Sequence, residues 1–190
     1  MREFLIIGGG AQSRLITEIV NLAFKYYTVV NAKHHTDISN EIKEGIVAIG
    51  DNHTRAEVVK YIMNLIPDFQ FKWVHHPSVI VAENVRLGYG SMVMAKAFLN
   101  RDTDIGKHTI INTNVIVEHD NKIGDYCCLL PGAITAGYVE IGDYTQIGMG
   151  ALIRDKVKIG SNCIIGMGSV VLKDIPDNST VWGCPAKIIK

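Results

Sequence analysis

"INTNVIVEHDNKIGDYCCLLPGA", residues 111–133, places an aliphatic side chain at every sixth position: Ile111, Val117, Ile123 and Leu129. The spacing continues in both directions. It begins at Val81, Leu87, Val93, Leu99 and Ile105, and runs on through Thr135, Ile141, Ile147, Ile153, Ile159 and Ile165 to Val171. Only Thr135 breaks the aliphatic rule. Four residues after each comes a small or β-branched side chain, such as Val115, Cys127, Ala133 or Thr145, with Asn121 as the exception. An amphipathic helix would repeat at three and four, and a meander of strands would lose phase over such a length. A six-residue period specifies a parallel β-helix with three repeats to each triangular coil.

Three repeats of six place each residue over the one eighteen further on, so outward side chains sort into columns. Arg86, Asp104, Lys122, Glu140 and Lys158 form a charged column that should face water. Phe98, Ile116, Ile134, Leu152 and Val170 form an apolar column, also in an outward position. A continuous exposed apolar strip implies a partner surface, with cover by the C-terminal tail as the alternative. A third strip stacks Pro131-Gly132-Ala133, Met149-Gly150-Ala151 and Met167-Gly168-Ser169, a nearly bare track suited to an elongated ligand. Gly88, Gly106, Gly124, Gly142, Gly148, Gly160 and Gly166 follow the aliphatic position, where corners are expected to need unusual φ.

Residues 1–74 read differently, as a small Rossmann-like α/β unit preceding the β-helix of residues 75–190. "EFLII" (3–7), "YTVVN" (27–31), "GIVAIG" (45–50) and "FQFKWV" (69–74) read as strands. Residues 12–26 and 52–66 carry apolar side chains at helical spacing. Strands alternating with helices give a parallel sheet covered by helices. The turn Gly8-Gly9-Gly10-Ala11-Gln12-Ser13 is either a tight turn or a phosphate cradle at a helix N-terminus.

The 19 basic and 19 acidic residues cancel, so no net field recruits nucleic acid or an anionic membrane. No apolar run approaches the ~20 residues of a membrane span. The four cysteines form no CxxC pair, and a reducing, cytoplasmic setting is the expectation. From residue 81 on, the only histidines are His108 and His119, too few for a three-histidine zinc site, so no metal is expected.

His119 occupies the third place of its repeat. Elsewhere that place holds Glu83, Arg101, Lys107, Asp125, Asp143 and Asp155, so it points outward. Gly137, one coil further on, leaves space beside the ring. Glu118 and Asp120 flank the imidazole, and either is a candidate to support it.

The segments "FLIIGGGAQSR", "IVAIGDN", "HHPSVIVAENVRLG", "INTNVIVEHDNKIGDY" and "VLKDIPDNSTVWGCPAK" together resemble the sialic-acid O-acetyltransferase-like family of left-handed β-helix acyltransferases. That family includes nucleotide-sugar N-acetyltransferases of the bacillosamine and viosamine type. The resemblance implies a homotrimer that moves an acetyl group from acetyl-CoA to the amine of a nucleotide-linked 4-amino-4,6-dideoxy sugar. O-acetylation of a sugar hydroxyl and a non-catalytic sugar-nucleotide scaffold are the other two readings. The "EHD" match makes His119 the general base and Asp120 its tuning acid. An amine attacking a thioester must lose a proton, and an imidazole, titrating near ~6.5, can accept it. The same likeness assigns Cys128, Gly137, Met149 and Met167 to acetyl-CoA, and Gly10, Ala11, Gln12, Asn31, Gly50 and Asn52 to the sugar nucleotide. The chain departs from the family at Ala11-Gln12-Ser13, which lacks a histidine, at Asn31-Ala32, which replaces an acidic pair, and at Cys128, which replaces a second histidine.

Overall fold

The computed structural model describes residues 2–23, 27–32, 38 and 41–190. The chain opens with β1 (Arg2–Ile7), α1 (Ala11–Ala23), β2 (Tyr27–Ala32), β3 (Glu44–Val47), α2 (Asn52–Leu65) and β4 (Gln70–Phe71). The four strands pair in parallel in the order β2-β1-β3-β4. A parallel sheet with helices on both faces needs strands that are apolar on both sides, and β1 meets that demand. Phe4 and Ile6 pack with Ile16, Ile19 and Val20 of α1, while Leu5 and Ile7 pack with Val58, Val59 and Ile62 of α2. Asp51 caps α2, accepting the Thr54 N–H at 2.8 Å, and this bond holds its carboxyl below the usual carboxylate range. The expected helix over 12–26 runs from Ala11 to Ala23, and residues 24–26 lie outside the described residues.

The strand expected over 69–74 divides in two. Gln70–Phe71 joins the α/β sheet, whereas β5 (Val74–His75) pairs in parallel with Met92–Val93. Lys72 and Trp73 therefore carry the chain from one architecture to the other, just before the expected division at 74/75.

From there to Val171 the chain is a parallel β-solenoid of two-residue strands that pair at a spacing of eighteen residues: Ile116 with Ile134, Lys122 with Glu140, Cys128 with Gln146. Three sheets form a charged face (Arg86 to Lys158), an apolar face (Ile80 to Val170) and a mixed face that includes Met92, Ile110, Cys128, Gln146 and Ile164. On the charged face Arg86 pairs with Asp104, and Lys158 with Glu140 at 3.3 Å. The six-residue row from Val93 to Val171 points inward and is buried throughout. Each such aliphatic side chain contributes about 1.5–3 kcal/mol.

The small residues four places later close the corners. Ser91, Thr109, Asn121, Cys127 and Thr145 each donate a side-chain hydrogen bond to a carbonyl of the next coil, at Gly106, Gly124, Ala136, Gly142 and Gly160. Small size alone was legible in the sequence; the polar members are there to satisfy buried carbonyls.

The corner glycines serve a different purpose from the one expected. Positive φ falls two residues later in the repeat, for example at Asp120 (φ 58) and Tyr126 (φ 56). Gly106 and its equivalents are small because coils stack closely there: a Cβ on Gly106 would overlap the Gly124 carbonyl. The tail also differs from the alternative raised for it. A hairpin of Thr180–Gly183 and Ala186–Ile188 ends the mixed-face sheet beside Ile164–Ile165, leaving the apolar face uncovered, with Ile80 62% and Leu152 44% exposed.

Thr135, the one polar member of the inward row, is fully buried and its Oγ1 has no hydrogen-bond partner. Replacing the hydroxyl by a methyl of similar size removes that unmet demand. Thr135→Val should raise stability by about 1 kcal/mol in a denaturant or thermal melt. An unchanged or lower melting temperature would show that the hydroxyl is satisfied in solution.

Candidate active site

His119 sits on the edge between the apolar and charged faces, in the turn joining Ile116–Val117 to Lys122–Ile123. Adjacent residues of an extended strand point opposite ways, but Asp120 has a left-handed backbone that turns its carboxylate back. Asp120 Oδ2 lies 2.8 Å from His119 Nδ1. Glu118 is engaged elsewhere, accepting from Asn100 Nδ2 at 2.7 Å. Of the two flanking acids, Asp120 is the one that meets the ring. A carboxylate on Nδ1 makes that nitrogen the protonated one and leaves the Nε2 lone pair to accept a proton.

The ring is seated from below. A Cβ at Gly137 would come within 2.7–2.8 Å of His119 Cε1 and Nε2, so any larger residue would displace the imidazole. Tyr138 meets the ring edge-on at 5.3 Å. Asn121, buried inside the coil, donates from Nδ2 to the Glu118, His119 and Ala136 carbonyls. Sequence reading flagged Asn121 only as an irregularity in a column of small residues; it clamps the turn that carries His119. The His119 side chain remains 43% exposed, open to a ligand on its outer side.

The remaining candidate residues fall into two groups. On the α/β unit, Gly10 and Gly50 follow the adjacent parallel strands β1 and β3, and a Cβ on either would meet nothing within 4 Å. Open ground beyond the carboxyl ends of parallel strands is where ligands bind such sheets. Ala11 and Gln12 begin α1 beside it, with Gln12 Nε2 3.9 Å from Met92 Sδ. Asn31, at the end of β2, accepts from Thr17 Oγ1 at 3.0 Å. Asn52 is buried, and its side chain is committed within the chain: Nδ2 donates to the Tyr144 carbonyl at 3.1 Å and Oδ1 accepts from Arg55.

On the β-helix, Met149 and Met167 are exposed on the edge between mixed and apolar faces, and Gly150 and Gly168 beside them are open. Cys128 is placed otherwise. It is 3% exposed, packed in one apolar cluster with Ile16, Ile19, Met92 and Ile110, and burial pushes its thiol up to about 11. Within the chain it is a packing residue of the joint between the two units and presents no thiol to the track. Cys127, pushed up to about 12 by the same cause, is equally unsuited to act as a nucleophile.

The arrangement has one further property. The α/β unit covers the first coils of the mixed face, and that face lies opposite the edge bearing His119. Within one chain, the open ground at Gly10 and Gly50 and the imidazole are therefore on opposite sides of the prism. Among the described residues, no three His, Cys, Asp or Glu side chains gather as a metal set, and no helix is long and apolar enough to cross a membrane.

Residues 138–173 match the family described as bacterial transferase hexapeptide (six repeats). Comparison with curated protein sequences gives no match. Among solved structures, the acetyltransferase domain of PglB from Neisseria gonorrhoeae is 29% identical, with a TM-score of 0.92 and the whole of both chains covered. The same domain bound to acetyl coenzyme A superposes with a TM-score of 0.91 at 29% identity, over 99% of each chain. PerB from Caulobacter crescentus, in complex with CoA and GDP-perosamine, is 32% identical over 100% of this chain and 98% of its own, with a TM-score of 0.90. A β-helix of hexapeptide repeats bearing a small α/β unit is thus shared, over nearly the whole chain, with a known acetyltransferase domain. This chain belongs to the hexapeptide-repeat transferases, alongside the sugar N-acetyltransferases of the bacillosamine and viosamine type, and it is an acetyltransferase.

Proposed function

We propose that the protein transfers the acetyl group of acetyl-CoA to the amine of a nucleotide-linked 4-amino-4,6-dideoxy sugar, with His119 as general base. The observation that carries this reading is the His119–Asp120 pair, whose Nδ1 contact leaves Nε2 free. The amine attacks the thioester carbonyl and forms the new C–N bond. Nε2 takes the ammonium proton, and Asp120 steadies the imidazolium. Collapse of the tetrahedral intermediate breaks the C–S bond, and the imidazolium returns its proton to the departing thiolate. Amide, free CoA thiol and neutral imidazole result.

The two substrates divide between the two units. Acetyl-CoA lies along the open edge at Met149 and Met167, where Gly150 and Gly168 leave backbone accessible between the exposed methionines. Ala11 and Gln12 at the N-terminus of α1, with Gly10, Asn31 and Gly50, hold the nucleotide sugar; a helix N-terminus favours a diphosphate. Because His119 lies opposite the α/β unit of its own chain, a complete site needs a second copy, and the exposed apolar face provides the contact for a homotrimer. The binding of CoA and GDP-perosamine by PerB, and of acetyl coenzyme A by PglB, supports this substrate pair.

The direct test is release of CoA thiol from acetyl-CoA across UDP-, dTDP- and GDP-linked amino sugars. At least one 4-amino sugar nucleotide should give turnover with an N-acetyl product. An O-acetyl product would replace the amine by a hydroxyl as acceptor, and no turnover with any would reject the substrate class.

A further inference from the structure

Arg55, in the first turn of α2, is wholly buried where the α/β unit meets the β-helix. Its guanidinium places every N–H donor on an oxygen. Nε donates to the His108 carbonyl at 2.8 Å, and Nη1 to the Ile49 and Gly50 carbonyls at 2.8 and 3.0 Å. Nη2 donates to Asn52 Oδ1 at 2.9 Å and to the Tyr126 and Cys127 carbonyls at 3.0 and 3.2 Å. All six acceptors are neutral. Burial lowers its pKa, yet a guanidinium stays charged in proteins.

A desolvated cation without a paired carboxylate is a poor way to gain stability; an apolar side chain of similar volume does as well or better. Position is what the fork supplies. Three acceptors lie on two successive coils of the β-helix, two on the turn after β3, and one on the first residue of α2. His108 shapes the same joint. Its ring occupies space that Gly90 leaves free, stacks on Tyr126 at 5.1 Å, and is kept neutral by burial. Arg55 is thus the cation that ties the joint together.

We propose that Arg55 is a positioning residue that registers the Ile49–Asn52 turn against the β-helix. A nucleotide sugar anchored at Gly10 and Gly50 is thereby held where its amine meets His119 of a neighbouring copy. This rests on the substrate reading above. Lysine cannot replace the fork, because one ammonium has three donors at a single point.

The experiment compares Arg55→Lys and Arg55→Met with the unmutated protein on two acceptors, the nucleotide-linked amino sugar and the same amino sugar without its nucleotide. With misregistered anchoring, kcat/KM for the nucleotide-linked acceptor should fall about 100-fold, while turnover of the free sugar and KM for acetyl-CoA change by less than about twofold. Asn52→Ala keeps the guanidinium and removes one of its acceptors together with the Asn52–Tyr144 bond across the same joint, and should give a smaller loss with the same selectivity. Should Arg55→Met unfold the joint, Asn52→Ala still carries the test. Equal losses on both acceptors, a matching loss of acetyl-CoA binding, or full activity in Arg55→Lys would overturn the role. An unmutated protein that does not prefer the nucleotide-linked acceptor would instead remove the substrate reading, and Arg55's role with it.

Discussion

His119→Asn should lower kcat at least ~100-fold while the protein still folds and binds acetyl-CoA, because general-base catalysis contributes roughly 10²–10⁴-fold. Asparagine fits the space above Gly137 without contact strain, and its amide can still meet Asp120, but it offers no basic nitrogen. Binding survives because the open edge at Met149 and Met167 is not part of the His119 turn. Steady-state thiol release with a parallel acetyl-CoA binding titration separates the two effects. More than a third of the activity remaining in the variant would take His119 out of the mechanism. A matching loss in Cys128→Ala would point to an acyl-cysteine, against the packed and protonated thiol described above.

Ile134→Glu should dissociate the proposed homotrimer and, with it, abolish the activity that the proposed two-copy site needs. Ile134 sits in the middle of the apolar face, paired in register with Ile116 on one side and Leu152 on the other. On an isolated chain a carboxylate there reaches water at little cost. In a sealed interface it is an unpaired buried charge, costing several kcal/mol per copy. The stability of the monomeric β-helix should therefore change little while association is lost. Sedimentation at micromolar concentration reads this directly. An unmutated protein that runs as a monomer would refute the interface.

The sequence disclosed the β-helix because its repeat is a contact rule. A period of six makes residue n touch n+18, and the pairings Lys122–Glu140 and Ile116–Ile134 follow from counting. The α/β unit was legible for the related reason that buried strands and amphipathic helices have their own periods. The site was legible only as a cluster. Glu118 and Asp120 flank His119 equally in the chain, and only the left-handed turn at Asp120 and the engagement of Glu118 by Asn100 separate them.

Burial across the joint lay beyond counting. Cys128 and Gln146 hold equivalent places in one column, yet Cys128 is sealed because α1 lies over it, whereas Gln146 lies past the reach of the helix. Arg55 carried no signal of its own, since nothing local in "NHTRAEVV" tells that this helix surface is covered. The surroundings of His119 come from its own turn and the coil stacked on it, which the repeat makes countable, whereas those of Cys128 come from another part of the chain.

The hairpin at the C-terminus has a bearing on solubility. A solenoid of parallel strands is a stack that a further copy could extend, because its last coil presents unpaired backbone groups in the geometry of the next coil. Here the chain reverses at Gly183, and Ala186–Ile188 runs antiparallel against Val181–Gly183. The Thr180 N–H and carbonyl are taken up by Lys190 and Ile189. A following parallel strand finds the wrong direction, and lysines 187 and 190 stand at the rim. On this face the hairpin offers a further parallel strand a mismatched edge, the kind of edge that disfavours end-to-end growth of repeats.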